Sequence, residues 1–365
     1  MNKIQEIKKT LNQKYFEREE EIEAILTAIL ARQHVLLIGP AGTGKSALSA
    51  ELSKIIKDCN YFQWLLTRFS TPEELFGVLS LHELEKGVYK RNTASKLPEA
   101  HFAFLDEVFK ANSAILNSLL TLINERLFYN GETPVKSPLM SIIGSSNEYP
   151  DEGEGLEALF DRFLLRFEVK YVNDTQNFIS MLQGNTNHIE IPSMTMNELL
   201  EYQFMTDMMY IPDEVYQTLA EIRMDLAGEG ISPSDRRFKQ SLSLLKAKAF
   251  MEGRQQVMRS DIMLLQNTLW ETIEQKDVTV QIVKENSQDK LQKLIEERRQ
   301  EVNELQDSID RDSSVEERIE VRNKLLAIQN ELDEVYKQQQ HPKIPELSAN
   351  IRGFADEIAN NILNV

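Results

Sequence analysis

Cysteine is nearly absent. One residue, Cys59, stands among 365, which excludes an intramolecular disulfide and a cysteine-based metal site and fits a reducing compartment. Its plain reading is a half-buried small apolar residue. Histidine is scarce as well: His34, His82, His101, His188 and His341 include no short-spaced pair, so a zinc site is not expected. No apolar run approaches the roughly 20 residues that a membrane helix needs. Residues 1–18 are charged and helix-like and lack the apolar stretch of a secretory signal, so the expectation is a protein that starts near Met1 in the cytoplasm. Basic charge is in deficit, with 41 Lys and Arg against 58 Asp and Glu and a net charge of -17. That balance opposes sequence-independent affinity for phosphate backbones and ranks nucleic acid low among partners. Repeats at solenoid spacing are missing too, which leaves a fold built from one-off elements.

What is present is the composition of a globular protein, 41% hydrophobic and 27% charged, long enough for two or three domains. Through the first half, short apolar runs at 35–38, 61–66, 102–105, 140–145 and 163–169 read as buried strands. Between them Leu48, Leu52, Ile55 and Ile56 share a helical face, as do Ile115, Leu116, Leu119, Leu122 and Ile123. Strand and helix in alternation predict a parallel α/β sheet. From about Pro192 helix starts replace strand signals, with a capping box at Thr195 and Glu198 and a helix opening near Ser234; helical patterns run on to Trp270. A third region is rich in Glu, Lys, Arg and Gln. There Leu291, Ile295, Val302, Leu305 and Ile309 keep helical spacing, interrupted by Arg298, and Val321, Leu325, Ile328, Leu332 and Val335 do so after a break at 310–314 that carries a second capping box, Ser314 and Glu317. This predicts a coiled-coil-like antiparallel hairpin closed by His341-Pro342 and a short terminal helix. A solvated spacer packing on itself is preferred over a partner-binding arm. The expected division is an α/β core over 1–185, a helical domain over 186–275 and a helical hairpin extension over 276–365.

Gly39, Pro40, Ala41, Gly42, Thr43, Gly44, Lys45 and Ser46 satisfy G-x-x-x-x-G-K-[ST] between an expected strand and an amphipathic helix, the context in which the pattern makes a phosphate-binding loop. Its glycines let backbone amides wrap phosphates, and the helix N-terminus, with Ala47 among the binding residues, adds a positive dipole end. Lys45 is expected to reach the β and γ phosphates and Ser46 to ligate Mg²⁺. The strand at 102–105 runs into Asp106-Glu107, the Walker B arrangement. Asp106 would hold the Mg²⁺ shell and Glu107 would orient and polarise the attacking water; the plain alternative is two carboxylates capping the next helix. A kinase would also need a hydroxyl substrate site, and the adjacent glutamate favours water as nucleophile. Asn147 follows the strand at 140–145, and residues at the carboxyl ends of parallel strands converge on the ligand crevice. If that strand lies between those of the phosphate loop and Asp106, the Asn147 amide can touch both γ-phosphate and water; a turn-forming Asn is the alternative.

The combination resembles the AAA+ superfamily, and within it the MoxR group, closest to its RavA-like branch. The resemblance covers about residues 10–265. It is carried by Arg18-Glu19-Glu20-Glu21-Ile22, the segment His34 to Pro40, Thr71-Pro72-Glu73-Glu74-Leu75-Phe76-Gly77, Leu97-Pro98-Glu99-Ala100, Phe104-Leu105-Asp106-Glu107 and the run from Ala114 to Arg126. RavA-like proteins often have Ala before the loop lysine; this chain has Gly44. The resemblance implies a P-loop AAA+ α/β core with an all-helical lid, ATP and Mg²⁺ as ligands, and a ring, usually a hexamer, whose sites are completed by a neighbour. Arg162 matches the family's arginine finger, which neutralises transition-state charge in trans; a surface ion pair is the plain reading and Arg166 a competing finger. Ser234-Asp235-Arg236-Arg237 resembles the sensor 2 position, where a lid arginine reads the γ-phosphate in cis. Arg236 is chosen over Arg237, one residue turning the direction by ~100° around a helix. Residues 87–98 resemble the helix 2 insert and 127–138, with Asn130-Gly131 as a turn, the pre-sensor 1 hairpin. Lys90, Arg91 and Lys96 of the first insert are candidates for substrate contact or members of a solvated loop.

The expected activity is ATP hydrolysis coupled to chaperone-like remodelling of a protein partner, and RavA-like resemblance implies a partner carrying a von Willebrand factor A (vWA) domain. A nucleic-acid motor or loader is the second reading, opposed by net acidity and by the lack of a DNA-binding module. A nucleotide-gated scaffold with little turnover is the third, opposed by Asp106, Glu107, Asn147 and Arg162 being in place together. GTP is disfavoured because no [NT]-K-x-D motif occurs.

Overall fold

Each expected strand forms, with edges moved by a residue or two. The computed structural model describes residues 2–131, 133–150, 155–184, 186, 188–288, 290–309, 314–338 and 343–363. Helices α1 (Lys3–Lys14) and α2 (Glu19–Ala31) precede β1 (Val35–Ile38), α3 (Lys45–Ile55), the short β2 (Ile56–Lys57) and β3 (Tyr61–Leu65). Next come α4 (Pro72–Phe76), α5 (Leu81–Glu85), β4 (Phe102–Asp106), α6 (Ser113–Glu125) and the hairpin β5 (Leu127–Tyr129) with β6 (Pro134–Lys136). The α/β part ends with β7 (Ser141–Ser146), α7 (Glu157–Arg162), β8 (Leu165–Glu168), α8 (Thr175–Leu182) and β9 (Met194–Thr195). Among the described residues, the elements that follow are all helical: α9 (Met196–Asp207), α10 (Asp213–Gly228), α11 (Asp235–Met251), α12 (Lys276–Ser287), α13 (Lys290–Asp307), α14 (Val315–Gln338) and α15 (Lys343–Leu363), with two 3-10 segments between α11 and α12.

The five long strands form one parallel sheet in the order β3-β4-β7-β1-β8. Strands β1 and β7 are buried throughout because helices cover both faces, which is why they read as continuous apolar runs. Successive residues of β1 face opposite sides: Val35 and Leu37 pack with α1, α2 and α9, whereas Leu36 and Ile38 pack with α6 and α7. The helix starts read from sequence form as expected. Thr195 and Glu198 exchange both bonds of a capping box, Ser234 accepts from Arg237 N, and Ser314 with Glu317 make the second box.

Two seams differ from expectation. The helical domain does not end at 275, because Ile282 and Val283 of α12 join the core formed by α10 and α11, and the first compact unit runs from Met1 to Ser287. Among the described residues, the second unit, Gln288–Val365, has three helices rather than a hairpin with a short tail. Helix α15 has 21 residues and contributes Ile344, Leu347, Ile351 and Ile358 to the same core as Ile295, Val302, Leu325, Ile328 and Leu332. Its apolar positions are spaced like those of the other two, and a third helix buries stripes that a two-helix hairpin leaves half wet. The expected break at 310–313, the closing His341-Pro342, and the side chains of Leu52 and Leu291 lie outside the described residues.

Candidate functional site

The order of strands places β7 between β4 and β1, so the residues that follow all three meet at one end of the sheet. The loop after β1 carries positive φ at Gly42 (81°) and Gly44 (85°), and at Gly39 an added Cβ would lie 2.1 Å from Val169 O. Only glycine fits that approach, and the left-handed glycines let successive amides turn toward one concavity, the geometry of an anion nest. A cleft of about 390 Å³ opens there, lined by residues 41–47 with Leu65, Asp106, Glu107 and Asn147.

Lys45 is 7% exposed, and its ammonium donates to Gly39 O at 2.6 Å, Pro40 O at 2.9 Å and Asn147 Oδ1 at 3.3 Å. These partners are neutral oxygens. Burial lowers the lysine's pKa, opposed by the charges of Asp106 and Glu107, so a polyanion beside it would offset part of the cost of a buried cation. Ser46 Oγ donates to Asp106 Oδ2 at 3.3 Å, while Asp106 Oδ1 accepts from Glu107 N at 3.1 Å and from Ser145 Oγ. Asn147 bridges the cleft, accepting from Lys45 through Oδ1 and donating through Nδ2 to Glu107 Oε1. Glu107 has φ 52°, a left-handed conformation uncommon for a non-glycine residue and concentrated at functional sites. Its other oxygen pairs with Lys110 at 3.3 Å.

The donor set suits Mg²⁺ with a triphosphate. Magnesium is held by one or two protein oxygens and completes its octahedron with phosphate and water, so Ser46 and Asp106 suffice. Among the described residues no group of three His, Cys, Asp or Glu forms a protein cage for a metal. A second cleft of about 470 Å³ shares Gly42, Thr43 and Gly44 and extends between Tyr15, Phe16 and Arg18 on one side and Tyr171, Phe178 and Met181 on the other. Aromatic and apolar side chains share its walls with Lys14, Arg18 and Thr186, a mixture of flat apolar surface and a few polar groups that can take a nucleobase.

Lys45, Ser46, Asp106, Glu107 and Asn147 are therefore brought together. Arg162 and Arg236 are not. Arg162 lines neither cleft; it precedes β8, whose Leu165 pairs with Val35 at the start of β1, the end of the sheet away from the loop. Its Nη1 donates to Asp161 Oδ2 at 2.6 Å. Arg236 donates to Asn124 Oδ1 at 2.8 Å in the last turn of α6 and lies near Arg162, so the structure does not bring the expected sensor 2 residue to its own chain's cleft. Arg166 and Arg237, the alternatives to these two, are 1% and 2% exposed. In the first insert Arg91 is tied to Glu73 Oε1 at 2.9 Å and Gly77 O at 2.8 Å, and Lys96 donates to Glu74 O at 2.9 Å. Of the three basic candidates there, two are thus engaged within the chain and Lys90 is exposed. Asn130 of the hairpin exchanges two bonds with the Arg91 backbone, joining the inserts.

A family model described as the MoxR domain in MoxR-vWA-beta-propeller ternary systems matches residues 2–206, more than half of the chain. The chain belongs to the MoxR-type AAA+ ATPases. A model of the AAA lid domain matches residues 214–283. Two uncharacterized proteins of Methanocaldococcus jannaschii are similar to this MoxR-type chain. One is 39% identical over 275 residues, 75% of the chain and 72% of the relative; the other is 40% identical over 290 residues, 77% and 75%. The crystal structure of a candidate ATPase from Cytophaga hutchinsonii shares the fold, with a TM-score of 0.64 at 21% identity over 78% of this chain and 93% of that one. No helix among the described residues is long and apolar enough to cross a membrane.

Sequence reasoning missed several residues that shape this MoxR-type site. Arg18, quoted for the resemblance but given no role, is buried and donates to Thr43 O at 3.0 Å and Lys170 O at 2.6 Å, clamping the loop to the end of β8. Ser145 steadies Asp106, and Tyr171 donates to Ala41 O at 3.2 Å. Ser145 follows Gly144 at a strand end, which was visible; the reach of Arg18 across 152 residues was not.

Proposed function

We propose that the chain binds ATP with Mg²⁺ around Lys45, hydrolyses it at the interface between subunits of a ring of six, and uses the shift of lid against core to remodel a protein partner carrying a vWA domain. The observation that carries this reading is the separation of two halves of one chemistry. Lys45, Ser46, Asp106, Glu107 and Asn147 share a cleft, while Arg162 stands at the other end of the sheet and lines neither cleft. A cation so placed serves a phosphate held by another copy.

In this reading the loop amides and Lys45 hold the β and γ phosphates, and Ser46 and Asp106 supply the oxygens for Mg²⁺. When bound, Mg²⁺ withdraws charge from the phosphate oxygens. Asn147 fixes the Glu107 carboxylate, which accepts a hydrogen bond from the attacking water and turns its lone pair toward the γ-phosphorus. Arg162 stabilises the charge that develops on a neighbour's transferring phosphoryl group. Arg236, near Arg162, contacts phosphate in a neighbour rather than in its own chain. The family description, which names MoxR and vWA together, supports the partner, and membership of the RavA-like branch is part of the same proposal.

Complementation tests it. Lys45→Ala and Arg162→Ala chains are each expected to lose ATPase activity, the second by ~10³-fold or more. An equimolar mixture is expected to recover a measurable fraction of the wild-type rate, because an intact cleft then sits beside an intact arginine. A mixture as slow as its parts, or a monomer as fast as the ring, sinks the proposal. Glu107→Gln chains trapped on ATP should retain a vWA-domain protein; retention of DNA instead would favour a nucleic-acid motor.

A further inference from the structure

Helix α7 carries Arg162 at its last position and is six residues long. A helix that short is not stable alone, and its terminal carbonyls lack intrahelical partners. Two buried guanidiniums take up carbonyls in and just after it. Arg166 donates through Nη2 to Phe160 O at 3.2 Å and through Nε to Phe163 O at 3.1 Å, with Trp270 O as a third acceptor. Arg237, from α11, donates through Nη2 to Asp161 O at 2.8 Å and Asp161 Oδ1 at 2.6 Å, and through Nη1 to Thr268 O at 2.7 Å. The backbone on both sides of Arg162 is therefore held, in part by an arginine of the sheet and in part by an arginine of the lid.

The Asp161 side chain completes the connection. Its Oδ1 accepts from Arg237 while its Oδ2 accepts from Arg162 Nη1 at 2.6 Å. Burial pushes this carboxyl up, but the hydrogen bond and charge of Arg237, with Arg162 and Arg166 nearby, hold it below its ordinary range. It is thus ionised at neutral pH and stands between a lid cation and the cation offered to a neighbour.

We infer that Asp161 and Arg237 are positioning residues: together they set the direction of the Arg162 guanidinium, and because Arg237 lies on a lid helix they make that direction depend on where the lid is. A lid movement in one subunit then reaches the next subunit's cleft through Asp161. This explains why two consecutive arginines of α11 differ so much in burial. Arg237 faces inward to steer, and Arg236 remains at the surface.

The inference rests on Arg162 acting in trans, and the experiment separates the two. Steady-state ATPase rates are measured on full-length Asp161→Asn, Arg162→Ala and the double variant, with binding of a non-hydrolysable ATP analogue to confirm folding. Asn keeps the shape and an acceptor for Arg237 but removes the charge that aligns Arg162. Asp161→Asn is expected to lower kcat about 10²-fold, the cost of a misplacement of about 1 Å, with KM changed less than about two-fold, as for an interaction made only in the transition state. The double variant is expected to be no slower than Arg162→Ala alone. If Asp161→Asn fails to bind the analogue, Arg237→Lys, which keeps the charge but loses the fork, carries the same comparison. Wild-type kcat in the positioning variant, or a double variant slowed by the product of both losses, overturns the inference. Wild-type kcat in Arg162→Ala overturns instead the reading beneath it.

Discussion

The phosphate-loop cleft and the lid–α7 junction are both polar and both contain buried cations, yet they are built in opposite ways. In the cleft, Lys45 is held by neutral oxygens, and Ser46 and Asp106 meet at 3.3 Å; an incoming phosphate or cation can replace those partners. At the junction, Arg166 and Arg237 are nearly sealed from solvent, and all their guanidinium nitrogens except Arg237 Nε donate to fixed backbone carbonyls or a carboxylate. Arg166 also lies 4.0 Å from the Phe160 ring centre and 5.2 Å from that of Trp270. The lesson is that residue type does not separate ligand-binding cations from structural ones; what separates them is whether their partners can be displaced.

Three substitutions break or sharpen that contrast. The largest effect is expected on turnover, for Glu107→Gln: hydrolysis falls ~10²- to 10⁴-fold, the usual worth of a general base, while analogue affinity and thermal stability stay near wild type. A large loss of stability would mean that the cleft is as structural as the junction. Arg166→Met is expected to do the reverse. It leaves the carbonyls of Phe163 and Trp270 without this donor at about 1–3 kcal/mol each, while Phe160 O keeps the Phe163 N–H, so chemical denaturation should register a loss of about 2 kcal/mol or more, and less than about 1 kcal/mol would erase the contrast. The smallest effect is the acid response of Asp161. Its carboxyl titrates lower folded than unfolded, so its stabilising contribution is present above the ordinary carboxylate pKa of about 4 and is lost as pH falls through the folded value. The gap in melting temperature between wild type and Asp161→Asn should therefore be wide near neutral pH and narrow in acid; a gap independent of pH would show that Asp161 is not held as a charge.

Much of the cleft was legible because its parts are short-range patterns. A glycine-rich octet between a strand and a helix, and an Asp-Glu pair closing an apolar run, each carry their context within about ten residues. The role of Asn147 depended on one strand lying between two others, and the order β4-β7-β1 supplies that condition. Where reading stopped short, the cause was distance along the chain. The terminal helix α15 looked like a short closing helix until its stripe met those of α13 and α14 in one core, and residues 276–287, expected in the extension, form α12, whose Ile282 and Val283 belong to the lid.

The arginines mark the boundary most sharply. Sequence alone determined that this is a phosphate-loop α/β protein with a helical lid, because hydrophobic period and glycine placement act locally on the backbone. Which of Arg162, Arg166, Arg236 and Arg237 face outward was decided only by tertiary structure. Residues near 160–166, 236–237 and 268–270 come from three separate segments that meet only in the folded state, and on a helix one step along the chain turns a side chain by about 100°. Burial, and with it the fate of each charge, is a property of that meeting.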